Sequence, residues 1–110
     1  MKMNEEKIGR AVVLELSGKL DFTNSEEFEA RLVDLIDDRR VPVVIDLAGL
    51  SYISSSGLRA FLMAAQRTEA FGSSMALCCL QDDVREVFDV AGFSALFKIY
   101  EDRDAALAAI

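Results

Sequence analysis

Histidine is missing from the sequence altogether. With it go Ser-His-Asp and Cys-His nucleophilic devices and the common zinc-ligand sets, all of which rely on an imidazole. Basic residues are in the minority: 12 Lys and Arg stand against 19 Asp and Glu, for a formal net charge of −7. A surface of that sign repels phosphate backbones and anionic lipid heads, which argues against nucleic acid and membranes and in favour of a protein partner with a basic patch. No apolar run approaches the roughly 20 residues that cross a bilayer, and the opening MKMNEEKIGR is too charged for a signal peptide. A soluble, cytoplasmic protein is expected. Proline occurs once and 52% of the residues are apolar, which excludes disordered and collagenous chains. A chain of 110 residues is then expected to form one domain, 1–110, with a core that needs no metal, cofactor or disulfide. Cysteine occurs only at adjacent positions, Cys78 and Cys79, inside the apolar run Met75 to Leu80. Consecutive strand residues point to opposite faces, so the two are expected to be buried structural thiols without a mutual disulfide.

What is present is an alternation of periods. Met3 to Ile8 reads as a short edge strand and Ala11 to Leu16 as a second strand, joined by a turn at Gly9-Arg10. Ser17 to Phe22 is expected to be a loop. Thr23-Asn24-Ser25-Glu26 has the form of a capping box, opening a helix to about Asp38 with Phe28, Leu32, Leu35 and Ile36 inward. Val43-Val44-Ile45 reads as a strand buried on both faces, followed by connecting backbone from Asp46 to Ile53. A second helix carries an apolar stripe of Leu58, Phe61, Leu62 and Ala65 and ends at Gly72, a left-handed C-cap. Ser74 to Leu80 is a further strand. A short helix from Gln81-Asp82-Asp83, with Val84, Val87, Phe88 and Ala91 inward, stops at Gly92, a strand covers Phe97 to Tyr100, and Asp102 caps a terminal helix. The order β-β-α-β-α-β-α-β-α predicts an α/β fold: a mixed, mainly parallel sheet of four to five strands with packed helices. Sites on such sheets form at the carboxyl ends of the strands. Here those are the loops Gly18 to Thr23, Gly49 to Gly57 and Gln81 to Asp83.

The second of these loops holds Ser54-Ser55-Ser56-Gly57 at the mouth of a helix. One serine is accounted for by an N-cap; a glycine at the helix start lets another group come close and marks an approachable site. A nucleophilic serine would need a base. No histidine exists, and of the four lysines, Lys2, Lys7, Lys19 and Lys98, only Lys19 falls on the predicted site edge. SSSG lacks the glycine spacing and lysine of a phosphate-binding loop. A phosphoryl group on one of these serines would instead meet the positive end of the helix, so its consequence would fall on a partner rather than on the fold. Nucleotide or small-anion binding at the same helix end is an alternative.

The segment Ile45-Asp46-Leu47 through Leu50-Ser51-Tyr52-Ile53-Ser54-Ser55-Ser56-Gly57-Leu58-Arg59 resembles the signature of the STAS domain, and specifically of anti-sigma factor antagonists. Leu16-Ser17-Gly18-Lys19-Leu20-Asp21 is similar to the family's G-x-L/I-D loop, and Val84 to Phe93 with Phe97 to Tyr100 is similar to its closing elements. The resemblance implies a non-enzymatic, monomeric switch. Its unmodified form would bind an anti-sigma factor that is also a serine kinase of the histidine-kinase-like ATPase class, and so release a sigma factor. Phosphorylation by that kinase would end the binding, and a serine phosphatase would restore it. The family's D-S-[S/T/A]-G places the acceptor at Ser55. Ser54 stands where many members carry Asp and is the alternative acceptor, while Ser56 becomes the expected cap. The docking surface implied comprises Asp21, Phe22, Thr23, Asn24, Ser54, Ser55, Ser56, Gly57, Leu58, Arg59 and, on the outward side of the second helix, Met63 and Gln66. Met63 could equally pad a helix edge, and Asp21 could serve only its own loop. The second functional reading is a STAS-type accessory or scaffold module, such as a lipid-transporter subunit, without a phosphorylation cycle.

Overall fold

A computed structural model describes residues 1–110. Five strands, β1 (Lys2–Ile8), β2 (Ala11–Leu20), β3 (Val43–Ile53), β4 (Met75–Cys78) and β5 (Lys98–Tyr100), form one sheet in the order β1-β2-β3-β4-β5. β1 and β2 make the antiparallel hairpin; the remaining neighbours are parallel. The helices are α1 (Ser25–Val33), α2 (Ser55–Phe71), α3 (Asp82–Val90) and α4 (Arg103–Ala109). α1 runs on into a π-helical turn, Asp34–Asp38, and a 3₁₀ turn, Phe93–Ala95, precedes β5. The mixed α/β architecture expected from the alternating periods is therefore present.

The β-branched run explains the layering. Val43 and Ile45 point into the larger core with α1, α2 and α3, whereas Val44 points into a smaller one with Val13, Ala76 and Ala106 of α4. Both faces of β3 are dry here, as a central parallel strand requires. At the middle of the larger core the Phe61 ring lies 5.0 Å from Phe28, 5.5 Å from Phe88 and 6.2 Å from Phe97, centroid to centroid.

Several elements differ from the sequence expectation. Asp46 to Ile53 is not connecting backbone but the second half of β3, paired to an equally extended β2 through Ser17 and Gly49, Gly18 and Leu50, Lys19 and Tyr52, and Leu20 and Ile53. Two register irregularities interrupt this pairing. They break the two-residue alternation by which a strand is recognised, leaving Leu50 and Ile53 buried with two exposed residues between them. The stripe of α2 is rotated: Gly57, Ala60, Phe61, Ala64 and Thr68 are buried, and Leu58, Leu62 and Ala65 lie at its margin. Small side chains let this helix approach the sheet closely, which apolarity alone does not signal. Ala91 is exposed rather than inward, because α3 ends at Val90.

The cysteines do not point to opposite faces. β4 ends at Cys78, and Cys79 turns back at φ +63°, so that both sulfurs and an Asp46 carboxylate oxygen lie within 4.8 Å of one another. Asp46 is already satisfied: Arg103 donates to its Oδ2 at 2.9 Å and the Ala48 N–H to its Oδ1 at 2.9 Å. Burial pushes the Cys78 thiol well above its ordinary range. A raised thiol pKa in the fold contributes stability that is complete below the unfolded thiol's pKa and declines as pH rises past about 8.5. The urea midpoint is accordingly expected to fall between pH 7 and pH 10, and to fall less in Cys78→Ala.

Candidate functional site

The carboxyl ends of β2 and β3 carry α1 and α2 side by side on one face of the sheet, which brings two of the three anticipated loops together. The Ser54 N–H donates to Leu20 O at 2.9 Å, tying the two loops directly. The third loop joins them through Gln81, whose Nε2 donates to Ala48 O at 2.7 Å.

The first loop closes on itself. Asp21 Oδ1 accepts the Thr23 N–H at 2.9 Å and the Thr23 hydroxyl at 2.5 Å, and these bonds hold the carboxyl below its usual range. The Asp21 N–H donates to Asn24 Oδ1 at 2.9 Å, and Asn24 Nδ2 donates to Lys19 O at 2.9 Å. The expected capping box does not form. Thr23 spends its hydroxyl on Asp21, the helix starts one residue later at Ser25, and Asn24 occupies the N-cap position without a side-chain cap bond. Glu26 is thereby left to line a groove between α1 and α2. Phe22 stands exposed at the rim of the same groove.

The three serines have three different situations. Ser54, in extended conformation, is the N-cap of α2: its Oγ accepts the Gly57 N–H at 3.2 Å. Ser56 is half-buried, its Oγ 2.9 Å from that of Ser54. The cap is therefore Ser54 and not Ser56, because α2 begins a turn earlier than its apolar pattern does. Ser55, the first residue of the helix, is exposed and its hydroxyl makes no hydrogen bond within the protein. Gly57 is buried, not approachable. A Cβ there would come within 2.8 Å of Leu20 Cγ, 2.9 Å of Leu20 Cδ2 and 3.0 Å of Ile53 Cγ1, so the glycine serves close packing of α2 on the two strand ends.

Further along α2, Leu58 is half-buried against the core and Arg59 is exposed. Met63 is half-buried, its sulfur accepting from Arg67 Nε at 2.8 Å, and Arg67 also pairs with Asp37. Met63 is thus part of a polar lattice on the α1 side, while Gln66 is exposed. The groove between the helices encloses about 320 Å³ and is lined by Ser25, Glu26, Glu29, Ser56 and Arg59 beside Phe22. Ser25 and Glu29 carry no sequence signal for this role; only the side-by-side placement of two helix starts discloses it. No helix is long and apolar enough to cross a membrane.

Comparison with known proteins places these features in a wider set. The STAS domain family model matches residues 2–106. BtrV of Bordetella bronchiseptica, assigned as an anti-sigma factor antagonist, is 38% identical over 109 residues, which is 99% of this chain and 94% of that one. The anti-sigma F factor antagonist of Paenibacillus polymyxa is 28% identical over 97 residues, covering 87% of this chain and 83% of that one. The anti-sigma factor antagonist SpoIIAA shares the fold in its unphosphorylated form, with TM-score 0.80, 23% identity and coverage of 99% of this chain and 98% of that one. Its phosphorylated form superposes with TM-score 0.76 at 23% identity, covering 99% of this chain and 100% of that one.

Proposed function

Because this chain belongs to the STAS domain family, we propose that it is an anti-sigma factor antagonist whose binding is switched by phosphorylation of Ser55. The observation that carries the proposal is the division of labour among the serines. Ser54 caps α2 and contacts Ser56, so Ser55 is the one hydroxyl of the three that is both exposed and unengaged. The names of the relatives support the partner class.

In this reading residues 1–110 act as one monomeric domain, with no cofactor and no catalytic role of their own. The unmodified protein binds an anti-sigma factor that is a serine kinase of the histidine-kinase-like ATPase class. Contacts come from Asp21, Phe22, Thr23 and Asn24, from Ser54 to Arg59, and from the outward edge of α2 at Met63; buried Gly57 contributes by holding the helix close to Leu20 and Ile53. The kinase transfers the γ-phosphoryl of ATP to Ser55: the Oγ–P bond forms, the bond to the ADP oxygen breaks, and a base of the kinase takes the hydroxyl proton. The phosphoryl group sits at the positive end of α2, where added negative charge is tolerated by the fold and its cost falls on the interface. A phosphatase reverses the step.

Affinity capture from the native cell extract tests the pairing. The tagged unmodified protein is expected to retain a kinase-like ATPase, released when ATP is added. Retention of transporter subunits instead, with no such ATPase, would favour the accessory-module reading and overturn this one.

A further inference from the structure

Arg59 is the exposed cation nearest in sequence to Ser55, and it is uncommitted. Arg31, Arg39, Arg67, Arg85 and Arg103 form ion pairs, whereas Arg10, Arg40 and Arg59 form none, and of these three only Arg59 lines the groove with Glu26 and Glu29. Its spacing from Ser55 gives this free arginine a function.

Ser55 and Arg59 are four residues apart within α2, hence neighbours on one helix face. Helical side chains lean toward the N-terminus, which gives a side chain as long as that of Arg59 the reach to a group on Ser55. An anion placed four residues before a cation is also the favourable order along a helix. A phosphoserine dianion offers oxygens in the spacing that a guanidinium fork binds two at a time.

Resting on the reading that Ser55 is the phosphorylated residue, we propose that Arg59 is the clamp for that phosphoryl group. The groove gives the clamp a consequence. In the unmodified protein Arg59 lines the groove together with Glu26 and Glu29, close enough to lower their negative potential without a direct ion pair. Once drawn to the phosphate it leaves those carboxylates uncompensated, beside a new dianion. Phosphorylation then changes the docking surface in two places, adding negative charge at Ser55 and unmasking it in the groove. A partner residue that bound in the groove beside Arg59 meets an altered surface even where it does not touch Ser55.

The test uses the full chain with phosphoserine installed at position 55 during translation, so that no kinase is needed. A ³¹P NMR titration reads the second ionisation of the phosphate in the otherwise native sequence, in Arg59→Gln and in Arg59→Lys. Loss of the clamp is expected to raise that midpoint by about half a pH unit in Arg59→Gln, the size of one partly exposed ion pair. Arg59→Lys is expected to keep part of the shift, and 1 M salt to remove it. Circular dichroism of the unmodified variants checks that all three proteins fold alike. Identical midpoints in the native sequence and Arg59→Gln would overturn the clamp. Failure of a kinase to modify Ser55 would overturn the functional reading instead, and the titration separates the two.

Discussion

Ser55→Asp is expected to abolish partner binding while leaving the domain as stable as the native protein. The two halves of this expectation come from opposite sides of one geometry. On the protein side, position 55 is the first residue of α2, exposed and free of hydrogen bonds, so a carboxylate there displaces nothing. It lies at the positive end of the helix, where an acidic residue gains about 0.3–1 kcal/mol. On the partner side, the proposed switch has the anti-sigma factor meet a neutral hydroxyl at position 55, so an unpaired carboxylate buried there costs about 2–5 kcal/mol, or a loss of affinity of about 30-fold to several thousand-fold. Isothermal titration with the captured partner and a thermal melt read the two halves separately. A melting temperature lowered by many degrees would assign Ser55 a structural role; unchanged affinity would remove it from the interface.

Phe61→Ala is expected to have the largest effect on folding. Phe61 is wholly buried and is the ring at which α1, α3 and the segment leading into β5 meet, touching Phe28, Phe88 and Phe97. Truncation leaves a cavity bounded by three elements that cannot all close on it, which costs about 3–5 kcal/mol. Against a total of about 5–15 kcal/mol for a domain of ordinary stability, that is a large share, and the variant should unfold at a much lower urea concentration or be unfolded at 37 °C. Phe61→Leu keeps much of the volume and should lose about 1.5 kcal/mol or less. A Phe61→Ala loss below about 1 kcal/mol would mean that the aromatic cluster is looser than its ring distances imply.

The two variants sit six residues apart on one helix, and the sequence makes them legible to different degrees. Phe61 announces itself by apolar spacing and is buried as expected, yet the rest of its stripe is turned toward Gly57, Ala60 and Ala64. Hydrophobicity ranks leucine above alanine, whereas packing of a helix against a sheet selects whichever residue lets the backbones approach. The strand Val43-Val44-Ile45 was readable because both of its faces are buried; the continuation to Ile53 was not, since register irregularities against β2 destroy the alternation. Similar physics governs the site. Three hydroxyls in a row say that a helix begins, but which one caps it depends on where the first turn closes. That is fixed by the Ser54 N–H bond to Leu20 O, between residues 34 positions apart. Cys79 is the plainest case: a positive φ at a residue that rarely adopts one brings two thiols together that strand geometry would have kept apart. The groove of Glu26, Glu29 and Arg59 joins two helices and has no local pattern at all.

The proposed switch turns on a single atom, the Oγ of Ser55. Incubating the native protein with its captured kinase and ATP, followed by tandem mass spectrometry of the peptide spanning Ser54 to Arg59, assigns the modified residue directly. One phosphate on Ser55, absent in Ser55→Ala, is the expected result. Phosphate on Ser54 or Ser56 instead, or none on any of the three while the kinase modifies another substrate, would contradict it.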